Sequence, residues 1–152
     1  MKLKIIILVV FTSMILIGFI QSFAMANQIN WQTYEQGIEI AKKQNKKIFL
    51  YFHADWCKYC VKMGETTFVD VNIVDLLNSR FIPIKVNADD EQKIAAMYDV
   101  KGLPNSWFLF EDAKPLNRLP GFVDNKLFHT ILKYIATDSF QKVTFKEFNK
   151  FL

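Results

Sequence analysis

The chain has 152 residues, 15% of them aromatic, and a formal net charge of +4. Removing the two lysines among the first 26 residues lowers this charge from +4 to +2, and no block of Lys and Arg is present, so no nucleic-acid partner is indicated. Residues 27–152 make one domain of ordinary size, long enough to bury a hydrophobic core.

The N-terminus has the pattern of an export signal. Two lysines are followed by an apolar run from Ile5 to Ile20, and Ala24-Met25-Ala26 places small residues where a signal peptidase cuts. This order is typical of a secretory signal peptide over residues 1–26, which leaves Asn27 as the mature N-terminus. The alternative is an uncleaved membrane anchor, because spanning a bilayer takes about 20 apolar residues. Either way, the remaining chain is expected to be periplasmic or otherwise exported, where disulfides persist.

Capping residues and hydrophobic patterning predict the elements of the first half. In chain order these are a helix over Tyr34–Gln44, a strand over Ile48–His53, a helix over Cys57–Glu65, a helix over Val71–Asn78 capped by Asp70, and a strand over Phe81–Val86 that contains Pro83. Thr33 and Gln36 form a capping-box pattern before the first helix. The first strand is apolar on both faces and is therefore predicted to be central in its sheet.

The second half continues the alternation of helices and strands. The pattern predicts a helix capped by Asp89 or Asp90 and ending at Tyr98, a strand over Asn105–Phe110, an edge strand over Arg118–Phe122, a helix from Asp124 to Ala136, and a terminal helix with Thr144 and Glu147 as its capping box. Phe145, Phe148 and Phe151 in that last helix are interpreted as a packing face. Strands separated by helices favour an α/β fold with crossover connections.

Cys57 and Cys60, the only cysteines, directly follow the predicted central strand. A C-x-x-C pair in this setting is typical of a redox site, because free backbone N–H groups at a helix start stabilise a thiolate. A structural disulfide is a weaker interpretation, since so short a loop removes little chain entropy. A zinc site would need His53 and His129, which have no matching spacing. Covalent haem attachment is excluded because Val61 follows Cys60.

Four segments resemble the thioredoxin superfamily in order and spacing across residues 30–137. They are Phe52-His-Ala-Asp-Trp-Cys-Lys-Tyr-Cys60, Phe81–Asn87, Val100–Phe108 and Gly121-Phe122. The Ala-Asp-Trp-Cys turn and the later Thr67-Phe68 resemble, more narrowly, exported proteins related to the C-terminal domain of the thiol:disulfide interchange protein DsbD. The resemblance implies that residues 27–152 form a thioredoxin-like three-layer α/β sandwich, with a central mixed β-sheet flanked by helices.

The resemblance also implies which residues act. The catalytic pair is Cys57 and Cys60, and the residues expected to contact substrate are Trp56, Lys58, Tyr59, Leu103 and Pro104. In the family the proline of the Gly-x-Pro motif follows a cis bond and faces the cysteines. No metal and no organic cofactor is implied. Asn105, where threonine is common, is expected to tune substrate contacts.

One departure from the family affects the second cysteine. Many members carry a buried carboxylate six residues before the first cysteine, and this chain has Tyr51 there. A phenol with an ordinary pKa of about 10 is a poor base at neutral pH. Deprotonation of Cys60 is therefore expected to depend on Glu65, Asp55, Lys58 or water.

The resulting hypothesis is an exported, monomeric thiol:disulfide oxidoreductase that reduces protein disulfides. Cys57 attacks the substrate disulfide and Cys60 resolves the mixed disulfide. The clients are expected to be exported proteins, and a membrane-embedded thiol carrier is expected to return the electrons. Because redox potential sets the direction, an oxidase or isomerase using the same residues stays open. A client-binding module with a redox-sensing cysteine pair is an alternative of another class.

Overall fold

The computed structural model describes residues 28–150, so the predicted signal peptide and Phe151 lie outside the described residues. Its elements are α1 (Tyr34–Gln44), β1 (Lys47–His53), α2 (Lys58–Thr66), α3 (Val71–Arg80), β2 (Phe81–Asn87), α4 (Gln92–Met97), β3 (Asn105–Leu109), β4 (Pro115–Pro120), α5 (Asn125–Ala136) and α6 (Phe145–Phe148). A 3₁₀ turn over Ser139–Gln141 lies between α5 and α6. Within residues 28–150, no helix has the length and apolar character needed to cross a membrane.

The four strands form a mixed sheet in the order β2-β1-β3-β4. β1 runs parallel to β2 and antiparallel to β3, and β4 runs antiparallel to β3. The central position predicted for β1 is confirmed, and it explains why this strand is apolar on both faces. Pro83 lies in the edge strand β2, where its carbonyl accepts a hydrogen bond from the Gln32 N–H at 2.8 Å. Its backbone nitrogen therefore faces away from β1, and the ladder between the strands loses no donor.

Alternating side chains of β1 divide the core into two layers. Ile48, Leu50 and Phe52 pack with residues of α1 and α4 on one face of the sheet. Phe49 and Tyr51 pack with residues of α2, α3 and α5 on the other face. The predicted three-layer α/β sandwich is therefore confirmed, with β1 buried at its centre.

Three of the predicted helix caps are present. The Asp70 carboxylate accepts hydrogen bonds from the Asn72 and Ile73 N–H groups in the first turn of α3, and the Asp124 carboxylate accepts one from the Leu127 N–H in the first turn of α5. Thr144 and Glu147 form the complete capping box of α6. Each of these bonds lies within a few residues of the cap, which explains why the sequence pattern is sufficient to predict it.

Three other predictions about helix caps and strand ends are wrong. Thr33 is the N-cap of α1, but its side chain makes no capping hydrogen bond with the described residues. α4 begins after Glu91, not after Asp89 or Asp90. The Asp89 carboxylate instead accepts a hydrogen bond from the Trp56 indole N–H. The edge strand β4 spans Pro115–Pro120 and begins three residues earlier than predicted.

Candidate active site

The cysteine pair lies where the central strand meets a helix. β1 ends at His53, the chain turns, and the Cys57 N–H donates to the Ala54 carbonyl at 3.1 Å. Cys57 is the N-cap of α2, and its sulfur accepts a hydrogen bond from the Cys60 N–H at 3.2 Å. The two cysteines are disulfide-bonded, with their Cα atoms 5.2 Å apart. After reduction the same N–H group is in place to stabilise a Cys57 thiolate.

Exposure does not distinguish the two cysteines. Cys57 is 4% exposed and Cys60 is 8% exposed. A difference in their reactivity must therefore come from how well each thiolate is stabilised. Cys57 holds the N-cap position, where helix N–H groups converge, whereas Cys60 lies in the first turn of the helix.

A shallow groove of about 360 Å³ lies beside Trp56 and Leu103, and we call it the Trp56 groove. Its described lining residues are Trp56, Ala88, Asp89, Gln92, Ala95, Ala96, Val100, Lys101, Gly102 and Leu103. Trp56 is 69% exposed, and its indole N–H donates to the Asp89 carboxylate at 2.7 Å. Leu103 packs against the cluster formed by Ala54, Cys57 and Cys60. The peptide bond between Leu103 and Pro104 is cis. Pro104 is buried, whereas Leu103 is half-buried and lines the groove.

Lys58 and Tyr59 occupy the first turn of α2 and face solvent. The Tyr59 side chain is 62% exposed, and its ring centroid lies 6.2 Å from that of Phe122. Both side chains therefore flank the disulfide at the protein surface, as a substrate contact requires.

Asn105 is buried, and both polar ends of its side chain are hydrogen-bonded within the protein. It is 1% exposed, its amide donates to the Gly102 carbonyl at 3.4 Å, and its side-chain oxygen accepts from Arg118 Nε at 3.3 Å. The residue therefore holds the loop that carries Leu103 in place from below. Its polar side chain is buried because both of its polar ends are hydrogen-bonded.

A second opening, which we call the Cys60 cleft, has a volume of about 500 Å³ and reaches Cys60. Its described lining residues are Gln28, Ile29, Trp31, Tyr51, His53, Ala54, Asp55, Cys60, Val61, Gly64, Phe68, Val69 and Lys85. Of the groups that the sequence suggested for assisting Cys60, Asp55 lines this cleft and Glu65 and Lys58 are not among the lining residues. Sequence reasoning did not assign Lys85 to the site at all.

Tyr51 and His53 both line the cleft and are the two titratable ring side chains there. The Tyr51 hydroxyl is buried and has no hydrogen-bond partner among the described residues, and burial raises the pKa of this phenol, so it stays protonated. Burial, with the charge of Lys85 second, lowers the pKa of His53 from 6.5, while Asp55 and Asp90 oppose that shift. His53 is the last residue of the predicted strand Ile48–His53. Residues two apart on a strand share a face, and this spacing was the signal that placed His53 beside Tyr51.

The described residues, 28–150, bring together no group of three or more His, Cys, Asp or Glu side chains that could hold a metal ion. The site itself is built around the disulfide between Cys57 and Cys60. A cysteine pair at the start of a helix, after the central strand of a three-layer sandwich, defines a protein of thiol:disulfide exchange. The chain belongs to the thioredoxin-like domain family, whose model matches residues 34–136.

Curated relatives place the chain among the disulfide oxidoreductases of this family. It is 28% identical over 107 residues to the disulfide bond reductase DsbH of Chlamydia pneumoniae, covering 62% of this chain and 64% of the relative. It is 29% identical over 111 residues to the thiol:disulfide interchange protein DsbD of Pseudoalteromonas atlantica, covering 70% of this chain and 19% of the relative. The chain thus spans less than two thirds of the length of either relative.

Solved structures agree with this placement. A thioredoxin from Thermus thermophilus superposes with a TM-score of 0.65 at 27% identity, covering 71% of this chain and 87% of the other. The oxidised C-terminal domain of DsbD from Neisseria meningitidis superposes with a TM-score of 0.55 at 26% identity, covering 65% of this chain and 90% of the other. The resemblance to the thioredoxin superfamily and to the DsbD domain is therefore confirmed.

Proposed function

We propose that this protein is an exported reductase of protein disulfides that works through Cys57 and Cys60. The observation that carries the proposal is the Cys57 sulfur at the N-cap of α2, where it accepts the Cys60 N–H. The reductive direction is supported by similarity to DsbH, whose name describes a disulfide bond reductase. The reaction needs no metal and no organic cofactor, because the sulfur pair carries both electrons.

The exchange proceeds in two steps. The Cys57 thiolate attacks one sulfur of a client disulfide, and the client's S–S bond breaks to leave a mixed disulfide. Cys60 then attacks the Cys57 sulfur, which releases the second client thiolate and forms the Cys57–Cys60 bond. The chain's own part in the first step is to stabilise the Cys57 thiolate with helix N–H groups.

Client binding is assigned to the surface around the disulfide. Trp56 and Leu103 line the Trp56 groove on one side of the cysteines, and both present apolar surface to an extended client segment. Tyr59 and Lys58 flank the disulfide on α2, and Pro104 is proposed to shape the same client surface from its buried position next to Leu103.

The proposed location and partners follow from the predicted signal peptide and from the relatives. The clients are exported proteins with disulfides, and a membrane-embedded thiol carrier re-reduces the Cys57–Cys60 bond after each turnover. The protein acts as a monomer. Mass spectrometry of the exported protein tests the first point: a chain that begins at Asn27 supports cleavage, and a chain that retains Met1 supports the membrane anchor.

The redox potential of the Cys57/Cys60 pair tests the direction of the reaction. Equilibration with glutathione is expected to give a potential near that of thioredoxin, at about −270 mV, and far from that of the oxidant DsbA, at about −120 mV. A value near the latter would assign an oxidase, and one near −180 mV, typical of a disulfide isomerase, would assign an isomerase. Dithiol-dependent reduction of insulin separates all of these enzymes from a redox-sensing binding module, which would not turn over.

Single cysteine variants test the order of attack. Cys60→Ser should accumulate mixed disulfides with client proteins, because the resolving thiol is gone. Cys57→Ser is the matched control and should accumulate none. Equal trapping by both variants would contradict the assignment of Cys57 as the attacking residue.

A further inference from the structure

We propose that His53 accepts, through water in the Cys60 cleft, the proton that Cys60 loses when it resolves the mixed disulfide. This inference rests on the proposed function, because it concerns the second step of that exchange. It assigns to His53 the part that the family's buried carboxylate plays at the position of Tyr51.

Cys60 needs such an acceptor because only its thiolate attacks. The residue is 8% exposed, and burial in apolar surroundings holds a thiol in its neutral form. Tyr51 cannot take the proton, since its hydroxyl already holds one and burial raises its pKa. Tyr51 lines the cleft, and its buried hydroxyl is a donor without a partner among the described residues.

The fold places His53 at the same cleft as Cys60. His53 and Tyr51 are two residues apart on β1, so their side chains leave the same face of the sheet. Their rings are stacked, with centroids 6.1 Å apart and planes 8° apart. Both residues line the Cys60 cleft. At about 500 Å³, with an imidazole, a carboxylate and an ammonium group in its walls, the cleft is polar and large enough to hold bridging water.

The charges around His53 come from three parts of the fold. The charged groups close enough to shift its pKa are Lys85 on β2, Asp55 in the turn before α2 and Asp90 in the loop after β2. The Tyr51 ring stacked on it is uncharged, and Cys60 lines the same cleft. Burial, with Lys85 next, lowers the pKa of His53, and the two carboxylates oppose the change. At neutral pH the imidazole is therefore uncharged and has a free nitrogen lone pair, as a proton acceptor requires.

The proposed step balances without another reactant. The Cys60 thiol passes its proton through water to His53, and the resulting thiolate attacks the Cys57 sulfur. The bond between Cys57 and the client sulfur breaks, and the client thiolate leaves with that electron pair. His53 then returns its proton to water or to the departing thiolate. The client sulfur is reduced as the Cys57–Cys60 bond forms.

Stopped-flow reaction of the reduced protein with Ellman's reagent separates the two steps. The first coloured thiolate is released when Cys57 attacks the reagent, and the second when Cys60 resolves the mixed disulfide. In the wild type, the rate of the second step should rise with pH and level off above the pKa of His53, which lies below 6.5. In His53→Gln it should fall at least about tenfold at pH 7 and keep rising with pH without levelling. The first step should stay unchanged.

His129→Gln is the matched control, because the chain has two histidines and burial lowers the pKa of both. His129 lies on α5 and is not among the lining residues of the Cys60 cleft, so this variant should match the wild type in both steps. NMR titration of the His53 ring in the wild type gives a test without a variant. The pKa of that ring should equal the pKa at which the second step levels off.

Four outcomes would contradict these assignments. A wild type that releases only the first thiolate would overturn the proposed function and this inference with it. A wild type that releases both thiolates, with the same second-step profile in His53→Gln, would overturn the inference alone. If the second step levels off at a pH that differs from the pKa of His53 measured by NMR, the inference is also overturned. The same holds if the levelling is lost in Asp55→Asn but kept in His53→Gln.

Discussion

At position 51, where the family resemblance leads us to expect a buried carboxylate, this chain has a tyrosine. The replacement changes which side chain near Cys60 can accept a proton. The Tyr51 ring joins the aromatic side chains on one face of the sheet, with the Phe68 ring at 4.9 Å and the Trp31 ring at 6.0 Å. Its hydroxyl is buried without a partner among the described residues. The residue therefore contributes packing to the core, and the proton chemistry passes to its neighbour on the strand.

Tyr51→Phe tests this division at the level of one oxygen atom. Removing a buried hydroxyl that lacks a partner should leave the free energy of unfolding unchanged or raise it by up to about 1 kcal/mol. Urea denaturation measures the change. The second step of the reaction with Ellman's reagent should keep its wild-type rate, because Tyr51 is not the proton acceptor.

Tyr34→Phe is the control for Tyr51→Phe. The Tyr34 and Tyr98 hydroxyls are hydrogen-bonded to each other at 3.0 Å. Removing this partnered hydroxyl should lower the free energy of unfolding by about 1 kcal/mol. A loss in Tyr51→Phe as large as that in Tyr34→Phe would show that the Tyr51 hydroxyl is bonded in solution.

Glycine has a different structural role in α1 than in α2. Each contains one glycine inside the helix, Gly37 in α1 and Gly64 in α2. A Cβ atom at Gly37 would overlap the side chain of Ile84 in β2, whereas a Cβ at Gly64 would meet no described atom within 4 Å. The first glycine therefore allows a helix to approach the sheet, and the second only weakens its helix.

Alanine at these two positions should have opposite effects on stability. Gly64→Ala should raise the free energy of unfolding by about 0.5–1 kcal/mol, because alanine restricts the unfolded chain and favours the helix. Gly37→Ala should lower it by about 1–3 kcal/mol, since overlap with Ile84 outweighs the helix propensity. Thermal and urea unfolding measure both changes. Equal signs for the two variants would contradict the close contact between α1 and β2.

The active site and the C-terminal segment lie at opposite ends of β1. The cysteines follow the last residue of this strand, whereas its first residue, Lys47, forms a salt bridge with Asp138 at 2.8 Å. The family model ends at residue 136, and the following segment packs through Phe145 and Phe148 on Tyr134, with ring centroids 5.3 and 5.2 Å away. This contact confirms the packing face predicted for these two phenylalanines.

Substitutions at the two ends should therefore separate stability from exchange. Phe145→Ala removes a half-buried ring and should lower the free energy of unfolding by about 1–2 kcal/mol, with both steps of the exchange unchanged. Trp56→Ala removes a side chain that is 69% exposed and should change stability by no more than about 0.5 kcal/mol. It should slow insulin reduction, because the Trp56 groove loses its apolar wall. A loss of exchange in Phe145→Ala would mean that the C-terminal segment acts on the active site.

The sequence by itself determined the features that depend on neighbours within a few residues. The central strand, the Cys57–Cys60 pair at the start of a helix, the caps Asp70 and Asp124, and the capping box of α6 all follow from local spacing. The alternation of helices and strands favoured an α/β fold, and the resemblance to a known family supplied the three layers with a central mixed sheet. Local patterns are reliable here because the hydrogen bonds and apolar faces that form these elements lie within one or two helical turns.

Only the tertiary structure decided which distant residues meet. Asp89 was available as a helix cap, yet the fold brings the Trp56 indole to its carboxylate across 33 positions of sequence. Asn105 turns into the protein because Arg118 of the adjacent strand is there to bond it. His53 and Lys85 join Cys60 around one cleft because parallel pairing of β1 and β2 aligns the carboxyl ends of the two strands at the start of α2. No spacing in the sequence encodes that convergence, since it depends on how separate elements pack against the same sheet.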